Sequence, residues 1–226
     1  MEFGGFQKLT VLDYPEHVAC ILFTKGCNFR CPFCHNAVLV ENKTEETYSE
    51  EEILSFLNKR KGVLDGVDIT GGEPLMHKDI GEFLKKVKAL GYDIKIDTNG
   101  CYPERLKKLV GEGLVDYVAM DIKNTPEKYA MTAGVKAPLE KIEESIDFLM
   151  SDAVDYEFRT TVTKEFHTPQ DIEKIAKRIS GAKRYFIQNF IDSGNILGAD
   201  LSPVLGEILA EMTTLSQRFV ENAKNR

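Results

Sequence analysis

The stretch Val18–Asn36, VACILFTKGCNFRCPFCHN, decides how the rest of this chain of 226 residues is arranged. It begins with an apolar run, Val18–Phe23, that predicts a buried β-strand. A loop follows in which Cys27, Cys31 and Cys34 have the spacing C-x3-C-x2-C. Three thiolates on so short a loop can converge on one metal centre, and thiolates favour zinc or iron–sulfur clusters. The loop is therefore a candidate metal site.

The cysteine spacing leaves two kinds of metal centre open. A structural zinc knuckle would need a fourth ligand, and His35 is poorly suited because it adjoins Cys34 and cannot easily turn back onto the same ion. A [4Fe–4S] cluster that only carries electrons takes four thiolates. Three thiolates would leave one iron open to a substrate or cofactor. Spacing alone does not decide between the two.

Composition bounds the class of protein. The hydrophobic fraction of 42% and the charged fraction of 29% are ordinary for a globular protein, and we expect residues 1–226 to be a single domain. A net charge of −7 argues against a general nucleic-acid binder and against an anionic membrane surface as partner. No charged-then-apolar leader opens the chain and no apolar run approaches about 20 residues, so we expect a cytosolic protein without a membrane partner.

The two cysteines outside the loop, Cys20 and Cys101, fall in or beside predicted strands, and we expect both to be buried free thiols. Five cysteines with three bunched together do not suggest a secreted disulfide framework. Two spare cysteines are also too few for an additional four-cysteine cluster.

Apolar runs and helical periodicities alternate strictly along the chain. Six such units demand a parallel sheet with helices outside it. Eight would close a full barrel, so six predict an α/β fold with a partial (β/α)6 barrel, open along one side. The predicted helices begin at Ser49 with a capping box to Glu52, before Ile80, at Pro103, at Pro138, at Thr168 and at Ser202, the last carrying Leu205 on its apolar stripe. The predicted strands are Val18–Phe23, Val67–Thr70, Tyr92–Ile96, Val115–Met120, Tyr156–Val162 and Arg184–Phe190.

Polar motifs follow four successive predicted strands, and the first of these motifs is the cysteine loop. They lie at the edge where parallel sheets have their active sites. Each also has a simple structural interpretation: a tight turn for Gly71-Gly72-Glu73-Pro74, turn residues for Asp97-Thr98, and an exposed ion pair worth under ~1 kcal/mol for Asp121 and Lys123. Arg159, within the fifth strand, could snorkel or pair with an acid on a helix. Because these motifs follow successive strands, they are expected at one edge of the sheet, and this nevertheless favours a binding site.

The cysteine loop, with Phe33 just before its third cysteine, resembles the signature of the radical S-adenosylmethionine enzymes. The wider stretches Gly4–Thr10, Asp13–Pro15 and Cys34–Asn36 resemble the activating proteins of glycyl-radical enzymes, above all those of anaerobic ribonucleotide reductase. The resemblance implies the partial barrel of that superfamily. It also implies one [4Fe–4S] cluster held by Cys27, Cys31 and Cys34.

The same resemblance assigns cofactor contacts. It places Phe33 near the adenine of S-adenosylmethionine and gives the glycine-rich motif the ammonium of the methionine moiety. The aspartates and the lysine would hold the ribose and carboxylate, and the aspartates can also bind a monovalent cation. The implied cofactor-binding set is Phe33, Gly71, Gly72, Glu73, Asp97, Thr98, Asp121, Lys123 and Arg159.

The activity implied by the resemblance is generation of a glycyl radical on a partner enzyme through a 5′-deoxyadenosyl radical. The implied partners are anaerobic ribonucleotide reductase and an electron donor of the flavodoxin or ferredoxin type. The same chemistry could act on pyruvate formate-lyase or on a small molecule, as in deazaguanine-forming enzymes. A module holding a metal for structure or electron transfer is the alternative of a different class. One departure from the family pattern, Met131–Gly134, bears on partner contacts rather than on the cofactor site.

Overall fold

The computed structural model describes all residues from Met1 to Arg226, which form nine strands and eight α-helices. The strands are β1 (Glu2–Thr10), β2 (Ala19–Thr24), β3 (Tyr48–Ser49), β4 (Gly66–Gly71), β5 (Asp93–Thr98), β6 (Tyr117–Asp121), β7 (Asp155–Val162), β8 (Tyr185–Asn189) and β9 (Ala223–Asn225). The helices are α1 (Ala37–Val40), α2 (Glu50–Lys59), α3 (Ile80–Ala89), α4 (Pro103–Gly111), α5 (Tyr129–Ala133), α6 (Leu139–Met150), α7 (Pro169–Arg178) and α8 (Gly206–Gln217).

The strands follow one another in the sheet as β3-β1-β2-β4-β5-β6-β7-β8-β9. The pairs β2–β4, β4–β5, β7–β8 and β8–β9 are parallel, whereas β1 runs antiparallel to both β2 and β3. The predicted α/β class with a mostly parallel sheet is confirmed, and the six predicted strands correspond to β2 and β4 to β8. The strands β1, β3 and β9 were not predicted from the sequence.

The residues group into two compact units whose segments interleave along the chain. The first unit contains Met1–Asn28, Val38–Thr98 and Glu104–Val118, and its core includes the fully buried Leu22 and Phe83. The second unit is built around fully buried side chains of β7 and β8. Its segments are Phe29–Ala37, Asn99–Pro103 and Ala119–Arg226. A single domain over residues 1–226 stays a prediction.

Capping signals locate several helix starts correctly. Ser49 forms the predicted capping box with Glu52 at the start of α2, and α4 begins at Pro103. Thr168 caps α7 and forms a second capping box with Asp171. No helix of the structure has the length and apolar character needed to cross a membrane.

The predicted start of the last helix at Ser202 is wrong, because α8 begins at Gly206. The backbone N–H of Ser202 donates to the carboxylate of Glu165 and its carbonyl accepts from the N–H of Lys164 at 3.0 Å, so this residue is held by a neighbouring segment. Leu205 has an extended backbone and is 64% exposed, so it does not belong to the apolar stripe of the helix.

Candidate functional site

The glycine-rich motif after β4 holds the backbone at the start of the cysteine loop. The N–H of Gly72 donates to the carbonyl of Thr24 at 2.9 Å, and the N–H of Glu73 donates to the carbonyl of Gly26 at 2.9 Å. A Cβ atom on Gly72 would lie 1.7 Å from the carbonyl oxygen of Gly26, and Gly71 has a φ of +102°. Both glycines are therefore required by the local backbone.

Glu73 is a buried carboxylate that links the glycine-rich motif to the end of β5. Its side chain is 1% exposed, and Oε1 accepts hydrogen bonds from the N–H of Leu75 at 3.0 Å and from the hydroxyl of Thr98 at 2.8 Å. The first of these bonds caps the short 3-10 helix Pro74–Met76. Glu73 and Thr98, both predicted site residues, are thus brought together in the first unit.

Asp97 belongs to a buried charged group that the sequence analysis did not identify. Its carboxylate accepts from the hydroxyl of Thr70 at 3.1 Å and from the ammonium of Lys95. The same ammonium donates to Asp68 at 2.8 Å, and the side chains of Lys95 and Asp68 are only 1% and 2% exposed. Asp68 and Lys95 interrupt the apolar runs of β4 and β5, which is the sequence signal that could have identified them.

Asp121, Lys123 and Arg159 form one ionic cluster in the second unit. One oxygen of Asp121 accepts from Lys123 Nζ at 2.9 Å and the other accepts from Arg159 Nε at 2.9 Å. The side chains of Lys123 and Arg159 are each 13% exposed, so the interpretation as an exposed ion pair is wrong. Arg159 pairs with Asp121, an acid at the end of a strand rather than on a helix.

The cluster fixes the ionisation of its members. Burial alone would raise the pKa of Asp121, but the charges of Arg159 and Lys123 outweigh burial and hold that pKa well below its ordinary value. Burial would likewise lower the pKa of Lys123, but the Asp121 carboxylate raises that pKa above its ordinary value. Lys123 therefore remains a cation at neutral pH.

The backbone and side chain of Lys123 are held on several sides. Its N–H donates to the hydroxyl of Tyr129 at 3.3 Å, its carbonyl lies 2.8 Å from His167 Nε2, and its Nζ lies 5.9 Å from the centroid of the Phe33 ring. His167 Nδ1 accepts from the N–H of Thr163 at 3.2 Å, which leaves Nε2 as the protonated nitrogen that donates to Lys123. Burial lowers the pKa of His167, so the ring is neutral. His167 is therefore a buried polar residue whose two ring nitrogens are both hydrogen-bonded.

The cysteine loop contributes to both units, Cys27 to the first and Cys31 and Cys34 to the second. The N–H of Cys34 donates to the carbonyl of Cys31 at 3.0 Å, which makes a tight turn. Burial raises the pKa of the Cys31 thiol to about 11, although Lys123 lowers it in part, and burial also raises the pKa of Cys34. A metal that binds here must therefore displace thiol protons.

A thiolate-bound metal group fits the chemistry of this loop. None of the five cysteines of the chain forms a disulfide bond, and three of them lie on one short loop. In this structure no three Cys, His, Asp or Glu side chains are arranged so that they could hold a metal ion. The fit therefore rests on donor chemistry, since three soft sulfur donors suit an iron–sulfur cluster.

Two segments that the sequence analysis did not connect with the site support the second half of the cysteine loop. The N–H of Arg30 donates to the carbonyl of Ala133 at 2.8 Å. Gly134 has a φ of +69°, and a Cβ atom there would lie 2.0 Å from the carbonyl oxygen of Arg30. From the other segment, the N–H of Gly198 donates to the carbonyl of Pro32 at 2.8 Å. The Met131–Gly134 departure thus lies against the cysteine loop.

Each unit offers groups suited to a polar ligand. The first unit presents the carboxylate of Asp97, which can accept hydroxyl groups or face a cation, and the second presents the ammonium of Lys123, which can pair with a carboxylate.

Comparison with known proteins identifies relatives over most of the chain. The sequence profile of the Radical SAM superfamily matches residues 21–179. A protein of Methanocaldococcus jannaschii, provisionally named a glycyl-radical enzyme activating enzyme, is 35% identical over 193 residues, which are 83% of this chain and 79% of that protein. The pyruvate formate-lyase-activating enzyme of Listeria monocytogenes is 35% identical over 145 residues, which are 59% of this chain and 58% of that enzyme.

Solved structures share the fold. A radical SAM methyltransferase from Sphaerobacter thermophilus matches with a TM-score of 0.74 over 94% of this chain and 67% of that chain, at 12% sequence identity. At this identity the likeness shows the fold alone, and it agrees with the α/β architecture expected from the sequence.

Proposed function

Because this chain belongs to the Radical SAM superfamily, we propose that it is an activating enzyme that forms a glycyl radical on a partner protein. The observation that carries the proposal is the match to the Methanocaldococcus jannaschii protein, which extends over 83% of this chain and thus far beyond the cysteine loop. Membership of the superfamily implies a [4Fe–4S] cluster and S-adenosylmethionine as cofactors. When bound, this pair supplies the one-electron cleavage that yields a 5′-deoxyadenosyl radical.

The cysteine loop would hold the cluster, with Cys27, Cys31 and Cys34 as its three ligands. The turn from Cys31 to Cys34 and the hydrogen bond from Arg30 to Ala133 would preorganise part of the loop for the cluster. That preorganisation lowers the entropy lost when the ligands close on the metal.

The remaining predicted residues would bind and orient the nucleoside. Lys123, kept cationic by Asp121, would pair with the carboxylate of S-adenosylmethionine. Asp97 and Asp121 would accept ribose hydroxyls, and Phe33 would lie by the adenine. Backbone groups of the glycine-rich motif would receive the ammonium. The full proposed set is Phe33, Gly71, Gly72, Glu73, Asp97, Thr98, Asp121, Lys123 and Arg159.

For the partner, we propose anaerobic ribonucleoside-triphosphate reductase, with an electron donor of the flavodoxin or ferredoxin type. Support comes from the stretch Gly4–Tyr14, which resembles the activating proteins of that reductase. Pyruvate formate-lyase is a second candidate, because a pyruvate formate-lyase-activating enzyme is 35% identical over 145 residues. Both partners would present a glycine-bearing loop to the same chemistry.

The test is to reconstitute the protein anaerobically with iron and sulfide, and to mix it with reductant, S-adenosylmethionine and each candidate partner in turn. The expected result is the electron paramagnetic resonance doublet of a glycyl radical on the ribonucleotide reductase. A doublet only on pyruvate formate-lyase would replace the partner and leave the activase function intact. Deoxyadenosine formation without a doublet on either protein would favour a small-molecule substrate.

A further inference from the structure

A lysine is buried between two aspartates on neighbouring strands of the first unit. Asp68 on β4 and Lys95 on β5 are paired in the parallel register, and Lys95 donates to Asp68 at 2.8 Å and to Asp97. The side chains of Asp68 and Lys95 are 2% and 1% exposed, whereas that of Asp97 is 15% exposed. Asp68 is therefore the buried end of this group, and Asp97 is its partly exposed, accessible end.

The charges of Asp68 and Lys95 determine how much negative charge Asp97 presents to a ligand. In their ionised forms the three side chains carry one net negative charge. Because Lys95 is shared with Asp68, its positive charge is not available to Asp97 alone. If Asp68 were neutral, Lys95 would neutralise Asp97, and the accessible end would lose most of its negative charge. A buried pair of this kind is a poor source of stability, so a functional reason for it is worth testing.

We infer that Asp68 and Lys95 are positioning residues that keep Asp97, the proposed acceptor of a ribose hydroxyl, oriented and negatively charged beside a ligand of net positive charge. Lys95 and the hydroxyl of Thr70 hold the two oxygens of Asp97, which fixes the plane of the carboxylate. The inference rests on the proposed function, because it takes S-adenosylmethionine as the ligand. S-adenosylmethionine carries a sulfonium and has a net charge of +1, whereas S-adenosylhomocysteine has a neutral sulfide and no net charge.

The experiment compares how tightly the reconstituted full-length protein binds these two compounds. The variants are Asp68→Asn, which makes the group neutral, and Asp68→Asn combined with Lys95→Met, which restores one net negative charge. Asp93→Asn is the matched control, since Asp93 lies on the same strand with a side chain that is 53% exposed. Thermal unfolding of each variant establishes that it is folded.

In Asp68→Asn we expect the preference for S-adenosylmethionine over S-adenosylhomocysteine to fall about tenfold, a size typical of removing one charge from a partly buried site. The double variant should regain most of the preference, and Asp93→Asn should keep it. An unchanged preference in folded Asp68→Asn would overturn the inference, as would an equal loss of affinity for both compounds, which indicates a structural role only. If Asp68→Asn does not fold, the double variant decides, because a folded double variant that has lost the preference for S-adenosylmethionine would overturn the inference.

The controls separate this inference from the function on which it rests. Wild-type protein that binds neither compound would contradict the proposed function itself, and the inference with it. Wild-type protein that prefers S-adenosylmethionine, with the same preference in every folded variant, would overturn the inference alone.

Discussion

Replacing Lys123 by Met tests whether the ionic cluster of the second unit binds the cofactor. Methionine keeps an unbranched side chain beside Phe33, but it removes the ammonium that lies 2.9 Å from Asp121. Asp121 would retain Arg159 at 2.9 Å, so the carboxylate would not be left without a charged partner. We therefore expect the variant to fold and to retain its iron.

The magnitude follows from the loss of one charge-assisted hydrogen bond to the cofactor. Such a bond is worth about 1.5–3 kcal/mol, which corresponds to a roughly ten- to hundredfold weaker Kd for S-adenosylmethionine. The free energy of unfolding should fall by a similar amount at most, because only one of the two cationic partners of Asp121 is removed.

The assay is titration of the reduced, reconstituted protein with S-adenosylmethionine, followed through the electron paramagnetic resonance spectrum of the cluster. Lys128→Met is the matched control, because Lys128 is also paired with an aspartate, Asp171, at 2.6 Å in the same unit. An unchanged Kd in Lys123→Met, equal to that of the control, would refute the cofactor role and leave Lys123 as a structural ion-pair partner.

Three further predictions concern the backbone and the pH dependence of stability. Gly72→Ala should destabilise the fold by about 1–3 kcal/mol or more in urea unfolding, because its Cβ would lie 1.7 Å from the carbonyl oxygen of Gly26, whereas Gly111→Ala, with no atom within 4 Å, should be close to neutral. Gly134→Ala should lower the iron content after reconstitution, because its Cβ would displace Arg30 in the cysteine loop, and full iron content would contradict the supporting role of α5. Asp121, despite its burial, has a pKa lowered by Arg159 and Lys123, so the stability that it contributes is present above about pH 3.9 and is lost as the pH falls through the folded-state pKa. The loss of unfolding free energy in Asp121→Asn should thus be full at neutral pH and shrink in acid, and a difference that grows in acid would contradict this assignment.

Local signals made several helix starts predictable. A capping box such as Ser49 with Glu52 is complete within four residues, so the sequence contains everything that the structure uses. The start of α8 was not predictable in this way. Ser202 looked like a cap, but its N–H is bonded to Glu165, which lies 37 residues away.

Strands whose partners are distant, or that are very short, were missed. β1 is paired with β2 on one side and with β3 on the other, and its sequence, EFGGFQKLT, contains two glycines and no sustained alternation. β3 has two residues and β9 has three, which is too short for any period to appear.

That polar motifs follow successive strands was predictable, but the pairing of their side chains was not. Parallel strands end at one edge, which is why motifs after successive strands could be grouped without coordinates. The partner of Asp121 depends on which strands are neighbours, and Arg159 lies 38 residues away along the chain. The burial of Lys95 between Asp68 and Asp97 likewise depends on the register of β4 against β5.

The most direct test of the central claim is formation of 5′-deoxyadenosine by the reconstituted, reduced protein with S-adenosylmethionine. The wild type should form it, and Cys31→Ala should form none, because one of the three proposed cluster ligands is missing. Cys101→Ala should remain active, since Cys101 is a buried thiol outside the loop and forms no disulfide bond. Undiminished deoxyadenosine formation by Cys31→Ala, or a wild type that binds zinc tightly and never a [4Fe–4S] cluster, would contradict the account.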